Sequence, residues 1–177
     1  LQSYAQGLDR MLDGLTDLSR VGRLGGQERA VDLFTLARTC WAQAAPPDGF
    51  ALHCVGDSLP VRGPEQDLIR LFAALLTNVW AHHDARHGQA WLTCAPRDGR
   101  VEVTLCDDGP GIPEPQRARV FDVLQTLRPK EETGHAGIGL AVARKVVTGL
   151  GGSIACLPPE QSTGCRIRFD LPGGAAR

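Results

Sequence analysis

Asp107 and Asp108 close an apolar run over 101–106 and lead directly into Gly109, Pro110, Gly111 and Ile112. An ionised carboxylate only accepts hydrogen bonds, so Asp107 at a strand end selects an exocyclic amine, such as that of adenine, over a carbonyl. Gly109 and Gly111 let the chain turn tightly and let a flat ring approach. The same residues suit a plain turn equally well, so this motif alone leaves both readings open. A second glycine cluster, Gly134, Gly137 and Gly139, opens an apolar helical pattern. Gly137-Ile138-Gly139-Leu140 would set bare backbone N–H groups at a helix N-terminus, where phosphate oxygens bind. Lys145 lies further along that helix, so neither the P-loop nor the dinucleotide-fold spacing is present. Asn78 interrupts the apolar face of a long helix. Its amide oxygen suits Mg²⁺, which takes few protein ligands alongside phosphate oxygens and water. A locally satisfied Asn is the other reading. His82 falls four residues later on the same face, placed to stack on a base or contact a phosphate. His83 and His87 read as surface residues.

These residues need a scaffold. Strands are expected at 30–33, 50–55, 59–62, 89–95, 101–106, 153–157 and 165–171, and helices at 34–45, 66–83 and 139–150. Gly56-Asp57 and Asp98-Gly99 both read as hairpin turns. Pro46 and Pro47 stop the first of these helices, and Gly151-Gly152 closes the last. Strands and helices mix without strict alternation, which points to a two-layer α/β sandwich with one mixed sheet. Ahead of it, Leu1, Tyr4, Leu8, Met11, Leu15 and Leu18 recur at spacings of three and four, a heptad seam. A seam this short needs a partner helix, in a bundle or dimer, or else it packs on its own domain. Gly22, Gly25 and Gly26 then read as a linker. The expected organisation is helix and linker over 1–25, a globular domain over 26–172, and a frayed tail over 173–177.

A net charge of -1 gives no basic field for nucleic acid. No apolar run is long enough to cross a membrane as a helix. The chain shows no signal peptide and starts at Leu1 without Met, which suggests an excised piece of a longer protein. The cysteines Cys40, Cys54, Cys94, Cys106, Cys156 and Cys165 form no CxxC motif and read as small buried hydrophobes in a reducing cytoplasm.

Taken in order, Asn78, then Asp107-Asp108-Gly109-Pro110-Gly111-Ile112, then Val120-Phe121-Asp122, then Gly134 and Gly137-Ile138-Gly139-Leu140 resemble the N, G1, F and G2 boxes of sensor histidine kinases. These belong to an ATPase superfamily shared with gyrase B, Hsp90 and MutL, whose ATP-binding domain has the Bergerat-type fold. Gly149 to Ile154 and Gly164 to Pro172 also look like that family, so the likeness covers about 30–172. Leu127 to Glu132 looks most like the phytochrome-like, PAS-linked subgroup. The resemblance implies that Asp107 binds adenine, that Asn78 holds Mg²⁺, that Gly109, Gly111, Ile112, Gly137, Ile138, Gly139, Leu140 and His82 line the nucleotide site, and that 121–139 is a mobile lid. It implies ATP and Mg²⁺ as cofactors, a response-regulator receiver domain as partner, homodimerisation through the N-terminal helix, and a cytoplasmic location without nucleic acid or membrane contact.

Four positions depart from the family's pattern. Ala74 stands one turn before Asn78, where many relatives carry a water-activating Glu; alanine cannot take a proton, which disfavours hydrolysis. Ala81 stands where many kinases place a Lys, and Arg128 or Lys130 of the lid are the candidate replacements at the phosphates. Asp108 replaces an Asn and adds negative charge. Cys165 replaces a common Thr. The histidines are His53, His82, His83, His87 and His135, with none in 1–21, so the phosphoacceptor must lie on another helix. The expectation is a histidine kinase catalytic domain, against a regulatory nucleotide-binding pseudokinase or a hydrolysing ATPase.

Overall fold

The computed structural model describes residues 12, 14–22, 27–123, 137–160 and 163–174. In chain order the elements are a helix α1 (14–20), β1 (Glu28–Asp32), α2 (Leu33–Gln43), β2 (Phe50–Val55), β3 (Pro60–Pro64), α3 (Glu65–Ala81), β4 (Gly88–Arg97), β5 (Arg100–Asp107), a single turn α4 (Glu114–Arg117), α5 (Gly139–Gly149), β6 (Ile154–Leu157) and β7 (Arg166–Pro172). Five strands form one sheet in the order β2-β4-β5-β7-β6. Only β2 and β4 run parallel, so the sheet is mixed.

Strand periodicity gives the sheet its two faces. Val101, Val103 and Leu105 of β5 pair with Leu171, Phe169 and Ile167 of β7, and all six are buried. A one-residue slip would turn this whole set to solvent, which fixes the register. Against that face lie Leu68, Leu71, Phe72, Leu75, Leu76 and Val79 of α3 and Val142, Ala143, Val146 and Val147 of α5. Phe72 meets Phe169 edge-on at 6.0 Å between ring centroids. Each fully buried Leu or Phe contributes about 1.5–3 kcal/mol. This is the α/β sandwich the pattern predicts.

The β4–β5 hairpin turns where expected, with Asp98 and Gly99 both at positive φ, as a two-residue hairpin of type I′ requires. The turn at Gly56-Asp57 makes no hairpin. β3 pairs instead with β1 in a separate two-stranded sheet, and β2 pairs with β4. The bonds Leu33 N to Leu59 O, 3.1 Å, and Phe34 N to Ser58 Oγ, 3.0 Å, draw the 58–59 segment to the start of α2 instead of back along β2. β1 starts earlier than expected and ends at Asp32, whose side chain caps α2 by accepting from Thr35 N at 2.8 Å. The expected fray of the tail does not hold at its start. Gly173 N donates to Gly99 O at 3.2 Å and Gly174 N to Pro60 O at 2.8 Å.

Along α1, Leu18 packs on the core and Val21, just past it, is buried, while Leu12 and Leu15 are exposed. A Cβ on Gly14 would sit 3.1 Å from the Ile138 side chain, so the helix rests on its own domain. Arg70 ties Asp17 at 3.2 Å to Asp67 at 3.0 Å, Asp67 accepts from Gly22 N at 3.2 Å, and Lys145 reaches Leu18 O at 2.7 Å. Leu1, Tyr4, Leu8 and Met11 of the expected seam lie outside the described residues, as do Gly25 and Gly26.

Candidate functional site

Asp107 ends β5 at the mouth of a cavity of about 510 Å³. Its Oδ1 accepts from Gly109 N at 3.0 Å and Cys165 N at 3.1 Å. Its Oδ2 takes no hydrogen bond from any described residue, which leaves one acceptor at the cavity. Burial pushes the carboxyl above its ordinary range, and the Gly109 and Cys165 N–H groups and the nearby His83 hold that rise back. The walls are apolar: Leu75, Val79, Leu105, Ile112, Leu140 and Ile167. One fixed acceptor among such walls suits a flat heterocycle bearing an amine.

Two glycines permit this closeness. Gly111 has φ +77 and a Cβ there would lie 2.6 Å from Gly164 O. Gly164 has φ +105 and a Cβ there would lie 2.2 Å from Asp107 O. Any side chain at either position would drive the β7 approach away from β5.

A second cavity of about 460 Å³ shares Asn78, His82, Val120 and Leu140 with the first as lining. Gly137, Ile138 and Gly139 line this second space and not the one with Asp107. They open α5, whose N-cap position, Ile138, makes no side-chain capping bond. Backbone N–H groups at a helix N-terminus suit an anion. Asn78 lies between the two ends, and its amide bonds to no other described residue. Its oxygen is free for a hard cation, and Mg²⁺ needs only one or two such protein ligands beside phosphate oxygens. The described residues hold no cluster of three or more His, Cys, Asp or Glu side chains that could bind a metal by themselves. Ala74 also lines this second space, 3.8 Å from the Cβ position of Gly139, so position 74 itself offers no carboxylate to activate water; Asp17, which lines the same space, is paired with Arg70. Ala81 lines neither cavity. Arg128 and Lys130 lie outside the described residues, as do Gly134 and the Leu127 to Glu132 segment.

The geometry revises other expectations. His83 is no surface residue: its side chain is 4% exposed, lines the Asp107 cavity, donates from Nε2 to Asp108 Oδ1 at 3.1 Å, and meets Phe50 edge-on. His87 is exposed. Asp108 turns away from the cavity. It accepts from Gln89 N at 2.7 Å; burial raises its carboxyl, but that bond and the His83 ring outweigh it and leave it below the ordinary range. Its charge therefore anchors β4 to β5 and does not face a nucleotide. Among the cysteines only Cys40 is buried; the other five are half-buried and free. Arg117 and Gln116 line the cavity from α4, a turn that 3.6-residue periodicity cannot reveal in four residues. Arg117 Nε donates to Ile112 O at 3.0 Å, which ties that turn to the glycine loop.

The sequence profile described as "Histidine kinase-, DNA gyrase B-, and HSP90-like ATPase" matches residues 63–175. The chain belongs to this ATPase family. Among its relatives is the swarming motility regulation sensor protein RssA of Serratia marcescens, 27% identical over 188 residues, covering 94% of this chain and 37% of that protein. Another is the signal transduction histidine-protein kinase BaeS of Escherichia coli, 28% identical over 180 residues, covering 97% of this chain and 38% of that one. The chain thus spans well under half the length of these curated relatives. Full-length ShkA, crystallised in complex with AMPPNP, shares the fold with a TM-score of 0.76 at 23% identity, over 97% of this chain and 37% of that one. Within the ATPase family's frame, α3, β5 and the start of α5 are the elements that build the cavity. No helix among the described residues is long and apolar enough to cross a membrane.

Proposed function

We propose that this chain is the ATP-binding catalytic domain of a two-component sensor histidine kinase. One observation carries the reading. A fixed carboxylate oxygen of Asp107 lines one cavity and the start of α5 lines a neighbouring one, and Asn78 is among the four residues that line both. Adenine N6 donates to Asp107 Oδ2, Ile112 and Leu140 flank the ring, and the backbone from Gly137 to Leu140 receives the phosphates. Mg²⁺, held by Asn78 and phosphate oxygens, supplies charge neutralisation when bound. The chain's own part is to bind, orient and exclude water, since phosphoryl transfer rests on positioning and electrostatics. The γ-phosphoryl group passes to a histidine outside this chain and then to a receiver-domain aspartate of a response regulator. The exposed Leu12 and Leu15 of α1 leave a face for a partner helix, which fits homodimerisation through that helix in the longer protein. Arg128 and Lys130 are proposed as phosphate contacts and His82 as a nucleotide contact. The working location is the cytoplasm, where ATP is.

A regulatory pseudokinase is the second reading, favoured by Ala74 at the phosphate end. Calorimetry with ATP, ADP and GTP tests the site, and phosphate release tests the chemistry. The kinase reading expects ATP binding, a preference over GTP, and flat phosphate release from this chain. Steady hydrolysis would assign it to the gyrase or chaperone type, and absence of ATP binding would remove every version.

A further inference from the structure

Two backbone donors fix Asp107 Oδ1, and one of them, Gly109 N, sits on the loop after β5. Asp108 ties that loop to the start of β4. Its N–H donates to Gln89 O at 3.2 Å, and its Oδ1 accepts from Gln89 N at 2.7 Å and from His83 Nε2 at 3.1 Å. The other ring nitrogen settles the tautomer. His83 Nδ1 accepts from Ala85 N at 3.0 Å, so Nε2 carries the proton that goes to Asp108. The imidazole also fills a slot between two glycines. A Cβ on Gly88 would lie 2.7 Å from Nε2, and one on Gly109 would lie 3.3 Å from Cδ2. Phe50 closes the slot edge-on, with 5.3 Å between ring centroids. A ring bonded at both nitrogens and packed against two backbones is a stiff support. Its place is directly beneath the residue whose N–H orients Asp107.

We propose that His83 is a positioning residue for base recognition: by bonding Asp108 and seating the Gly109 backbone, it holds the Gly109 N–H on Asp107 Oδ1 and so keeps Oδ2 turned to the cavity. The inference rests on Asp107 reading the adenine amine. His83 acts through Asp108 and Gly109. Without the ring, the slot between Gly88 and Gly109 is hollow and Asp108 keeps only its bonds to Gln89. Moving the Gly109 N–H by about 0.5 Å takes a bond of 3.0 Å to the edge of hydrogen-bond range. Asp107 Oδ1 is then held by Cys165 N alone, and the carboxylate turns more freely about its side-chain axis. The consequence is selective. A base with an exocyclic amine at this end loses a well-aimed acceptor, while a base without that amine makes no use of the aim. General support of the fold would serve both bases alike.

The test compares ATP with purine ribonucleoside triphosphate, which lacks the 6-amino group, by calorimetry on the folded chain and its variants. The unaltered chain is expected to prefer ATP by about tenfold or more. His83→Ala should weaken ATP about tenfold and the purine nucleotide no more than about twofold. Added to Asp107→Asn, it should weaken ATP by no more than about a further twofold, because the two act in series. Asp108→Ala removes the acceptor of the same bond from an exposed position and leaves the ring in its slot. It should reproduce the selective loss, and it decides the matter where His83→Ala does not fold. Equal losses for both nucleotides, or unchanged ATP affinity in the folded variants, overturn the proposal. Equal binding of the two nucleotides by the unaltered chain removes the adenine reading and this inference with it. A preference for the amine that survives both variants removes the inference alone.

Discussion

Asp107→Asn removes one oxygen's acceptor character and little else. Gly109 N and Cys165 N, at 3.0 and 3.1 Å, both donate to Oδ1, so the amide must keep its carbonyl there. Its NH₂ group then takes the place of Oδ2 and meets the adenine amine donor to donor. A hydrogen bond to a charged acceptor is worth about 1.5–3 kcal/mol, and a stranded donor costs about 1–3 kcal/mol. The sum, about 2.5–6 kcal/mol, is a loss of roughly seventy- to twenty-thousand-fold in Kd. Guanine presents a carbonyl at the corresponding position, so the variant should also lose most preference for ATP over GTP. The fold should not suffer. Burial raises the folded pKa of Asp107 above its unfolded value. The stability tied to its proton is thus fully present below the unfolded pKa, about 4, and lost as pH rises through the folded pKa. Asparagine never ionises and escapes that loss, so at neutral pH its Tm should match or exceed the wild type. Calorimetry with a non-hydrolysable ATP analogue, alongside thermal unfolding, checks both halves. An unchanged Kd in a folded variant would refute the adenine role of Asp107.

Other outcomes follow from the same geometry. Wild-type affinity for ATP should fall as pH drops through the raised pKa of Asp107, and Asp107→Asn should lack that step in a calorimetric pH series. Gly164→Ala, whose Cβ would lie 2.2 Å from Asp107 O at φ +105, should cost about 3 kcal/mol or more and about 6–12 °C of Tm, read by thermal denaturation. Asn78→Ala should bind ATP normally in EDTA but lose a roughly tenfold Mg²⁺-dependent gain, measured by titration with and without the metal. His83→Ala strips Asp108 of its ring partner and should lower stability by about 1–3 kcal/mol in denaturant unfolding, with a smaller effect on ATP than Asp107→Asn.

Much of the site was legible because local chemistry sets it. Asp107, the glycine loop and the start of α5 are turn and cap signals that act over a few residues. The Asp98-Gly99 hairpin and the stop of α5 are legible for the same reason. The sheet partner of β3 was not, since Gly56-Asp57 announces a turn but not which strand the chain pairs with afterwards. That choice is made by the bonds from Leu33 and Phe34 to Leu59 and Ser58, between segments about 25 residues apart. His83 was invisible because nothing in its neighbours shows that the chain after α3 folds back under β5. Asp108 looked like unwanted charge at a nucleotide because sequence carries no direction for a side chain next to a strand end. Gly137 to Gly139 do stand at the start of a helix, as the pattern predicts, but their separation from Asp107 into an adjoining space depends on α1 and α3, which approach from elsewhere in the chain.

The central claim is transfer of the ATP γ-phosphoryl group to a histidine on another helix. Its most direct measurement mixes this domain with a helical hairpin carrying a phosphoacceptor histidine from a sensor histidine kinase, supplies ATP radiolabelled at the γ-phosphate with Mg²⁺, and maps the label by its stability. Acid-labile, base-stable label on the histidine of that hairpin, abolished by Asp107→Asn, is the predicted result. Tight ATP binding with no labelled histidine would contradict it and leave a nucleotide-sensing module in place of a kinase.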